Sequence, residues 1–348
     1  MTFSYIILLL IGMLFVFLED FLEEKDKIII FIAICGIMIL VPAFKDVHDT
    51  PDAINYEEMF YGTNAITGLL TEPSFLIISG ILRSLGFTVS ALFTVYAIIA
   101  INIRGRFIYR MSPLPILTLF IFISYLYILH DLIQIRAGAA LAFGIGALYY
   151  YSNGRKRMAL AMIGIATMFH YSAILLCLIF LFSNKPLTLK WKLLLYSIVP
   201  FGLILCILKL NLISFIPSFA GGERLEVYND LAEKGQMDEA SLINPILWIK
   251  ILVYITALWF YDFLKDMNQY LSLFIKIMGL SVLIELTLLF TNAVLAYRLS
   301  ELFAIVEPFI ITSFVYLFRP MWIGRMVIVM VSTAASLYCI FRLEYILT

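Results

Sequence analysis

Long apolar runs recur from one end of this 348-residue chain to the other. They lie at residues 4–18, 28–44, 88–103, 113–129, 137–151, 191–209, 246–262, 270–291, 299–318 and 325–342. A helix needs about 20 apolar residues to cross roughly 30 Å of hydrocarbon, and the runs approach that length. Lipid offers no hydrogen-bond partners to an open backbone, and the strict alternation of barrel strands is absent. With 63% hydrophobic and 14% charged residues, the sequence predicts an all-α, polytopic membrane protein.

Clusters of basic residues predict which loops face the cytoplasm, since lysine and arginine are enriched there. The five clusters are Lys25 with Lys27, Arg104 with Arg106 and Arg110, Arg155 to Arg157, Lys185 with Lys190 and Lys192, and Arg319 with Arg325. All five are cytoplasmic only if residues 158–183, a long run interrupted around His170, form a hairpin of two short helices. If that run crosses the membrane once, either the third or the fourth cluster lies outside.

The hairpin topology is the one we favour. It gives a single membrane domain with about 11–12 membrane segments. Residues 45–87 and 210–245 then form the non-cytoplasmic loops, and both chain termini lie on that side.

Three histidines and three unusual arginines fall on the non-cytoplasmic side in this topology. They are His48, His130, His170, Arg136, Arg224 and Arg298. Charges at membrane depth are costly and normally face a cavity or a partner. Because the guanidinium group is planar, always charged and matched to phosphate, the cluster indicates a phosphorylated lipid headgroup. The alternative is internal pairing, of Arg136 with Asp131 and of Arg298 with Glu301.

Two acidic residues in apolar surroundings need separate explanations. Glu72 precedes Pro73 at the start of an apolar helix, where a carboxylate can simply cap the helix and favour its dipole. Glu285 lies within a hydrophobic run and needs a partner or a cavity. The sequence assigns Glu285 no role.

Several classes of function lack support in the sequence. The net charge is zero and no basic tract occurs, which argues against a nucleic-acid partner. The chain has no GxSxG, Walker A or HExxH motif and no metal-ligand spacing. Its four cysteines lie inside apolar runs, where buried structural thiols are expected. The sequence therefore implies no metal and no cofactor.

Five short motifs follow one another along nearly the whole chain. They are Phe44-Lys45-Asp46 with Asp52 and Tyr56, Glu72-Pro73-Ser74-Phe75, Ile135-Arg136-Ala137-Gly138 after Asp131, Phe169-His170-Tyr171-Ser172-Ala173, and Tyr297-Arg298 with Phe303. In this order they resemble the EpsG-like branch of the Wzy polysaccharide polymerases, which are bacterial inner-membrane proteins. Lys45 stands where that family usually has arginine, and Ala137 where glutamine is common. Lys45 lacks the planar guanidinium group of arginine, so the first departure weakens the case for phosphate binding at that position.

The resemblance implies a membrane glycosyltransferase of GT-C-like architecture in the bacterial inner membrane, with its active site facing the periplasm or the cell exterior. Such proteins polymerise oligosaccharide repeat units carried on undecaprenyl diphosphate into O-antigen, capsule or exopolysaccharide. They transfer the growing chain from one lipid carrier onto a new lipid-linked unit. The implied partners are the lipid-linked donor and acceptor, membrane lipid and, for such proteins, a chain-length regulator protein.

This chemistry needs cations, because a lipid diphosphate develops negative charge as it leaves. We assign that role to Arg136 and Arg298, with Arg224 and Lys45 as further candidates. The acceptor hydroxyl needs positioning and a base. The candidates for the base are a histidine and three carboxylates, which the sequence does not rank: His170, Asp52, Glu72 and Asp131. Tyr56 is a candidate for stacking on a sugar, although tyrosines also belt membrane interfaces.

Two other classes of function compete with a polymerase. A flippase or transporter for a lipid-linked or anionic substrate predicts charged or broken helices near mid-membrane and related halves. Here the unusual charges collect on one side, and the two halves of the sequence are not similar. An O-antigen ligase-like membrane transferase would share the arginines and the histidine, and only its substrates would distinguish it.

Overall fold

The computed structural model describes residues 2–45, 47, 50–62, 71–208, 242, 244–290 and 292–347. Within these ranges the regular structure is helical, and no strand occurs there. Six of the described helices are long and apolar enough to cross a membrane. A bent pair, Ala293–Ala304 with Glu307–Leu317, adds a seventh span if its two helices, inclined at 55°, are counted together. The protein is an all-α, polytopic membrane protein, as the sequence predicts.

The α-helices are numbered in chain order. They are α1 (Thr2–Leu18), α2 (Glu24–Ala43), α3 (Pro51–Tyr61), α4 (Pro73–Ser84), α5 (Val89–Met111), α6 (Pro115–Ser124), α7 (Ile135–Ser152), α8 (Lys156–Phe169), α9 (Leu189–Ile207), α10 (Pro245–Trp259), α11 (Tyr261–Leu264), α12 (Leu271–Leu288), α13 (Ala293–Ala304), α14 (Glu307–Ser313) and α15 (Met321–Leu347). A π-helical turn, Ile128–Ile133, precedes α7. The chain divides into two compact units, the first made of Met1–Cys177 and Ile311–Thr348, the second of Leu178–Ile310.

Two of the predicted membrane segments, 113–129 and 246–262, contain short helices in the structure, and so does the apolar stretch after Glu72. Proline occupies the first turn of α4, α6 and α10, so these helices begin at Pro73, Pro115 and Pro245. Each has fewer residues than the roughly 20 that a perpendicular crossing needs. The predicted loop 45–87 also contains two helices, α3 and α4.

Helix α7 lies at the centre of the first unit, packed against α5, α8 and the π-helical turn. Small residues along α7 let its neighbours approach closely. A Cβ atom at Gly146 would lie 2.7 Å from the ring of Phe107 on α5. A Cβ atom at Gly138 would lie 2.2 Å from the carbonyl oxygen of His130 in the π-helical turn. The two glycines therefore set how closely α7 packs against α5 and this turn.

We expect Gly138→Ala to destabilise the first unit. The new methyl group would meet backbone, which cannot yield as a flexible side chain can, so the cost should be about 1–3 kcal/mol. Gly164→Ala is the matched control, because nothing lies within 4 Å of the corresponding Cβ position in α8. Thermal unfolding in detergent should show a lower midpoint for Gly138→Ala and an unchanged or higher one for the control. Equal midpoints for the two variants would contradict the close packing at Gly138.

An ion cluster around the buried Glu19 joins the short 3-10 turn after α1 to α6 and α15. The Glu19 carboxylate accepts hydrogen bonds from the backbone N–H groups of Ile116 (2.8 Å) and Leu117 (3.3 Å), in the first turn of α6. Arg325 donates to Glu19 (3.2 Å) and to Asp20 (2.5 Å). The sequence placed Arg325 in a cytoplasmic loop, but it lies inside α15 and is buried. The loop placement is wrong, because Arg325 lies in the helix and pairs with the buried Glu19 and the exposed Asp20, whereas its cytoplasmic side stays a prediction.

The run 158–183 is interrupted at His170, as the sequence indicates. Helix α8 ends at Phe169, and the backbone of His170 is extended (φ −153°, ψ 117°). A 3-10 helix, Tyr171–Leu181, follows. The two parts have 14 and 11 residues, so each is shorter than a helix that crosses a bilayer. That they turn back in the membrane as a hairpin stays a prediction.

In the second unit, α12 packs against α9, α10 and α13. The buried Lys250 of α10 donates hydrogen bonds to Glu285 of α12 and to Ser300 of α13, the latter over 3.0 Å. The Ser300 hydroxyl also donates to Glu285 (2.9 Å). Glu285, which has no assigned role in the sequence analysis, is therefore the acceptor of a buried network that joins three helices.

Candidate functional site

Glu72, Arg136 and His170 meet in the first unit, although they are far apart in the sequence. Nη1 of Arg136 donates to Oε2 of Glu72, and Nδ1 of His170 lies 3.2 Å from Oε1 of the same carboxylate. The Glu72 side chain is 1% exposed, whereas those of Arg136 and His170 are 24% and 21% exposed. The acid is thus buried, and the two basic side chains remain accessible. We call these three residues the Glu72 cluster.

Each residue of the Glu72 cluster lies at the end of a helix. Glu72 is the N-cap residue of α4, yet its side chain makes no capping hydrogen bond to that helix. A capping hydrogen bond from Glu72 to α4 is therefore wrong, because the carboxylate is turned to Arg136 and His170, whereas its effect on the helix dipole stays a prediction. Arg136 lies in the first turn of α7, and His170 is the extended residue that ends α8. The breaks between helices bring the three side chains together.

Aromatic rings surround the guanidinium group of Arg136. Its Cζ atom lies 5.3 Å from the ring centroid of Tyr56 and 5.8 Å from that of Phe75. The Tyr56 ring in turn packs on Phe75 (6.1 Å) and Phe93 (6.4 Å). Such cation–π contacts fix the orientation of an arginine without neutralising it. Tyr56 itself is buried, so its described role is to hold Arg136, and its contact with a sugar stays a prediction.

The residues on either side of His170 anchor it. The Tyr171 hydroxyl donates to the carbonyl oxygen of Thr71 (3.3 Å), directly before Glu72. The Phe169 ring contacts Tyr96 edge-on, with centroids 5.6 Å apart, and stacks on Phe143 at 5.4 Å. The imidazole is therefore held between two anchored aromatic residues, against the segment that carries Glu72.

The pKa of Glu72 reflects its surroundings. Burial alone raises the pKa of this carboxyl, but the hydrogen bond from His170 and the charge of Arg136 outweigh burial and bring it to about 2. Glu72 is therefore ionised near neutral pH. A carboxylate that holds its proton so weakly is a poor base near neutrality.

Lys45 and Asp52 lie on the segment that leads into and through α3. The buried Lys45 donates to the carbonyl oxygen of Leu132 in the π-helical turn, and its Nζ lies 5.0 Å from the ring of Phe93. Asp52 lies one helical turn before Tyr56 and acts electrostatically on its hydroxyl. Lys45 thus ties this segment to the π-helical turn, and Asp52 lies on the helix that holds Arg136 through Tyr56.

Asp131 pairs with Arg104 and not with Arg136. Nη1 of Arg104 donates to Oδ2 of Asp131 (2.5 Å), and Nη2 donates to the carbonyl oxygen of Gly138 (2.7 Å). Neither side chain of this pair is more than 2% exposed. The alternative in which Asp131 neutralises Arg136 is therefore wrong. The catalytic role of Asp131 stays a prediction, although its carboxylate is buried and not accessible to solvent.

Arg104 was missed as a structural residue because the sequence placed it in a loop with Arg106 and Arg110. All three lie inside α5, which runs to Met111 and leaves only a short connection before α6 begins at Pro115. That loop assignment is wrong. One signal in the sequence could have shown this. No residue that ends a helix occurs before Ser112-Pro113, where the proline pushes the residue that precedes it out of helical geometry.

The remaining sequence candidates are placed as follows. Arg298 lies in the second unit, on α13, where it is exposed and interacts electrostatically with Glu301. That interaction agrees with the internal-pairing alternative for this arginine. His130 is buried in the π-helical turn. Arg224 and His48 lie outside the described residues.

The Glu72 cluster combines a fixed cation, a buried anion and an accessible imidazole. A guanidinium group binds phosphate oxygens, and an imidazole can accept a proton near neutral pH. One carboxylate and one imidazole are too few ligands for a metal, and no group of three or more suitable side chains occurs among the described residues. The cluster therefore suits a phosphorylated substrate and a proton transfer.

The sequence model of the EpsG family matches residues 27–345, which include the whole Glu72 cluster. This chain belongs to the EpsG family. Membership of the EpsG family indicates a membrane polysaccharide polymerase and confirms the family that the ordered motifs predict. No curated protein and no solved structure matches the chain.

Proposed function

We propose that this EpsG-family protein polymerises oligosaccharide units carried on undecaprenyl diphosphate, by transferring the growing glycan onto a new lipid-linked unit. The observation that carries the proposal is the placement of Arg136. Glu72 and the aromatic rings hold its guanidinium group, yet the side chain stays 24% exposed. A cation fixed before the substrate arrives stabilises a developing charge without reorganisation.

In the proposed reaction, the bond between the anomeric carbon and the diphosphate oxygen breaks, and its electron pair leaves on the lipid diphosphate. A hydroxyl oxygen of the acceptor unit forms the new glycosidic bond and gives up its proton. The product stays on the acceptor's carrier, so the cycle can repeat. The same proposal places the protein in the bacterial inner membrane, with the reaction on the periplasmic or outer face and a chain-length regulator as partner. The product is O-antigen, capsule or exopolysaccharide.

The other basic candidates take lesser parts in this proposal. Arg298 is an exposed arginine that can reach a phosphate, but it belongs to the second unit and already interacts with Glu301. Arg224 remains a candidate for binding the diphosphate only because it is an arginine in the predicted loop 210–245. Lys45 has the least support, because its ammonium group is buried and donates to the backbone of the π-helical turn.

The test uses the purified protein in liposomes with an undecaprenyl-diphosphate-linked repeat unit isolated from a polymerase-null strain. We expect a ladder of products with two, three and more units, and one undecaprenyl diphosphate released for each bond formed. A flippase would move the lipid-linked unit without forming bonds. A ligase-like transferase would use the unit only with a different acceptor and give no ladder. Either outcome would contradict a polymerase.

A further inference from the structure

We infer that His170 is the general base of this glycosyl transfer, accepting the proton of the acceptor hydroxyl at Nε2, and that Glu72 is the residue that positions it. This inference rests on the proposed function and assigns roles that the sequence leaves open. It stands on the hydrogen bond between Nδ1 of His170 and Oε1 of Glu72, on the exposure of the imidazole, and on the burial of the carboxylate.

The hydrogen bond to Glu72 fixes the form of the imidazole. A carboxylate only accepts hydrogen bonds, so Nδ1 of the neutral ring carries the hydrogen and donates it to Oε1. The lone pair is then at Nε2, on the opposite side of the ring. Because the side chain is 21% exposed, a substrate hydroxyl can approach it. The extended backbone at His170 and the anchored rings of Phe169 and Tyr171 keep the imidazole in place.

The neighbouring groups are less suited to act as the base. Both oxygens of Glu72 have partners, the side chain is buried, and its pKa is held at about 2. Asp131 is closed off from solvent by its pairing with Arg104. His130 is 2% exposed, so a substrate hydroxyl cannot reach its ring. Of these four side chains, His170 is the one that is accessible and oriented by a second group.

The proton balance is simple in this arrangement. As the acceptor oxygen bonds to the anomeric carbon, its proton passes to Nε2 and His170 becomes an imidazolium. The Glu72 anion stabilises that cation, whereas the positive charge of Arg136, which shares the Glu72 carboxylate, opposes it. His130, in the π-helical turn, also interacts electrostatically with His170. The hydroxyls of Tyr96 and Tyr56 interact electrostatically with Glu72 and Arg136, and the Tyr171 hydroxyl donates to the carbonyl oxygen of Thr71. The proton is released to water or to the departing diphosphate before the next cycle.

The first experiment measures the elongation rate of the whole protein against pH. The wild-type rate should fall as the pH is lowered, because a protonated imidazole cannot accept a proton. Glu72→Gln removes the anion that stabilises the imidazolium, so it should move this fall to lower pH. A glutamine that merely disturbed the packing would lower the rate at every pH and leave the position of the fall unchanged, which would overturn the positioning role.

The second experiment compares His170→Gln, His170→Gly and the surface variant Asp262→Asn, whose carboxylate pairs with Lys192 within the second unit. We expect a loss of about 10²–10⁴-fold in kcat for both histidine variants, with little change in KM, and none for Asp262→Asn. Added imidazole should restore part of the rate of His170→Gly, which also shows that this variant is folded. Retention of wild-type kcat by His170→Gln overturns the inference but not the polymerase. A wild-type protein that forms no ladder overturns both.

Discussion

Arg136→Gln is expected to reduce the rate of glycan elongation by about 10²–10³-fold, the cost of removing one donor that stabilises transition-state charge. The charged guanidinium fork is lost, while the neutral glutamine still occupies much of the space beside Tyr56 and Phe75. Arg136→Lys should recover only part of the activity, because an ammonium group keeps the charge but not the planar fork. The measurement is the ladder of products from the lipid-linked unit, together with glycan length in a complemented polymerase-null strain.

Arg136 also neutralises a buried acid, so loss of activity has to be separated from loss of structure. Removing one partner of a buried ion pair costs about 3–5 kcal/mol, because the other charge stays buried. Glu72→Gln combined with Arg136→Gln removes both charges and should recover the thermal unfolding midpoint but not the long chains. Arg83→Gln, at the exposed end of α4, is the matched control and should change neither property. A double variant that still makes long chains would exclude Arg136 from the reaction.

Hydropathy predicted the fold class well but not the lengths of the individual helices. The mean composition of a run shows that it prefers lipid, whereas helix ends depend on single residues. Pro115 and Pro245 each start a helix inside or beside a longer apolar run, and Pro73 starts α4 within the predicted loop 45–87. The run 113–129 is divided further, because α6 ends at Ser124 and a π-helical turn follows. A window average cannot detect such a change of hydrogen-bond pattern.

The members of the Glu72 cluster could be found from ordered motifs, but their pairing could not. Asp131 lies close to Arg136 in the sequence, which makes it the obvious partner. Asp131 belongs to the π-helical turn, which directs it towards Arg104 of α5, and Arg136 instead meets Glu72, 64 residues earlier in the chain. Sequence spacing predicts side-chain neighbours within a regular helix, and this rule fails across the break before α7.

Basic residues were also harder to interpret than the membrane rules imply. Charge bias in loops is a statistical signal of orientation, and it treats every arginine as a loop marker. Arg104 and Arg325 are instead buried within helices, each paired with an acid on a distant segment. The partners are separated by 27 and 306 residues, so only the packed structure shows that these arginines hold helices together.

Arg104→Met is expected to be the most destabilising single substitution in the first unit. It would leave Asp131 buried without its cation and remove the hydrogen bond to Gly138, at a cost of about 3–5 kcal/mol. Arg106→Met, two residues further along the same helix, is the matched control, because Arg106 is exposed. The free energy of unfolding, measured in mixed detergent micelles, should fall for the first variant and stay within about 0.5 kcal/mol for the second.

Adding Asp131→Asn to Arg104→Met should restore much of the lost stability, because no uncompensated charge is then buried. The double variant also decides the role of Asp131. If the Arg104–Asp131 pair only fixes the start of α7, and with it Arg136, the refolded double variant will elongate glycan at a rate near that of the wild type. If Asp131 takes part in the proton transfer, the double variant will be folded and inactive. That second result would move the base from His170 to the π-helical turn.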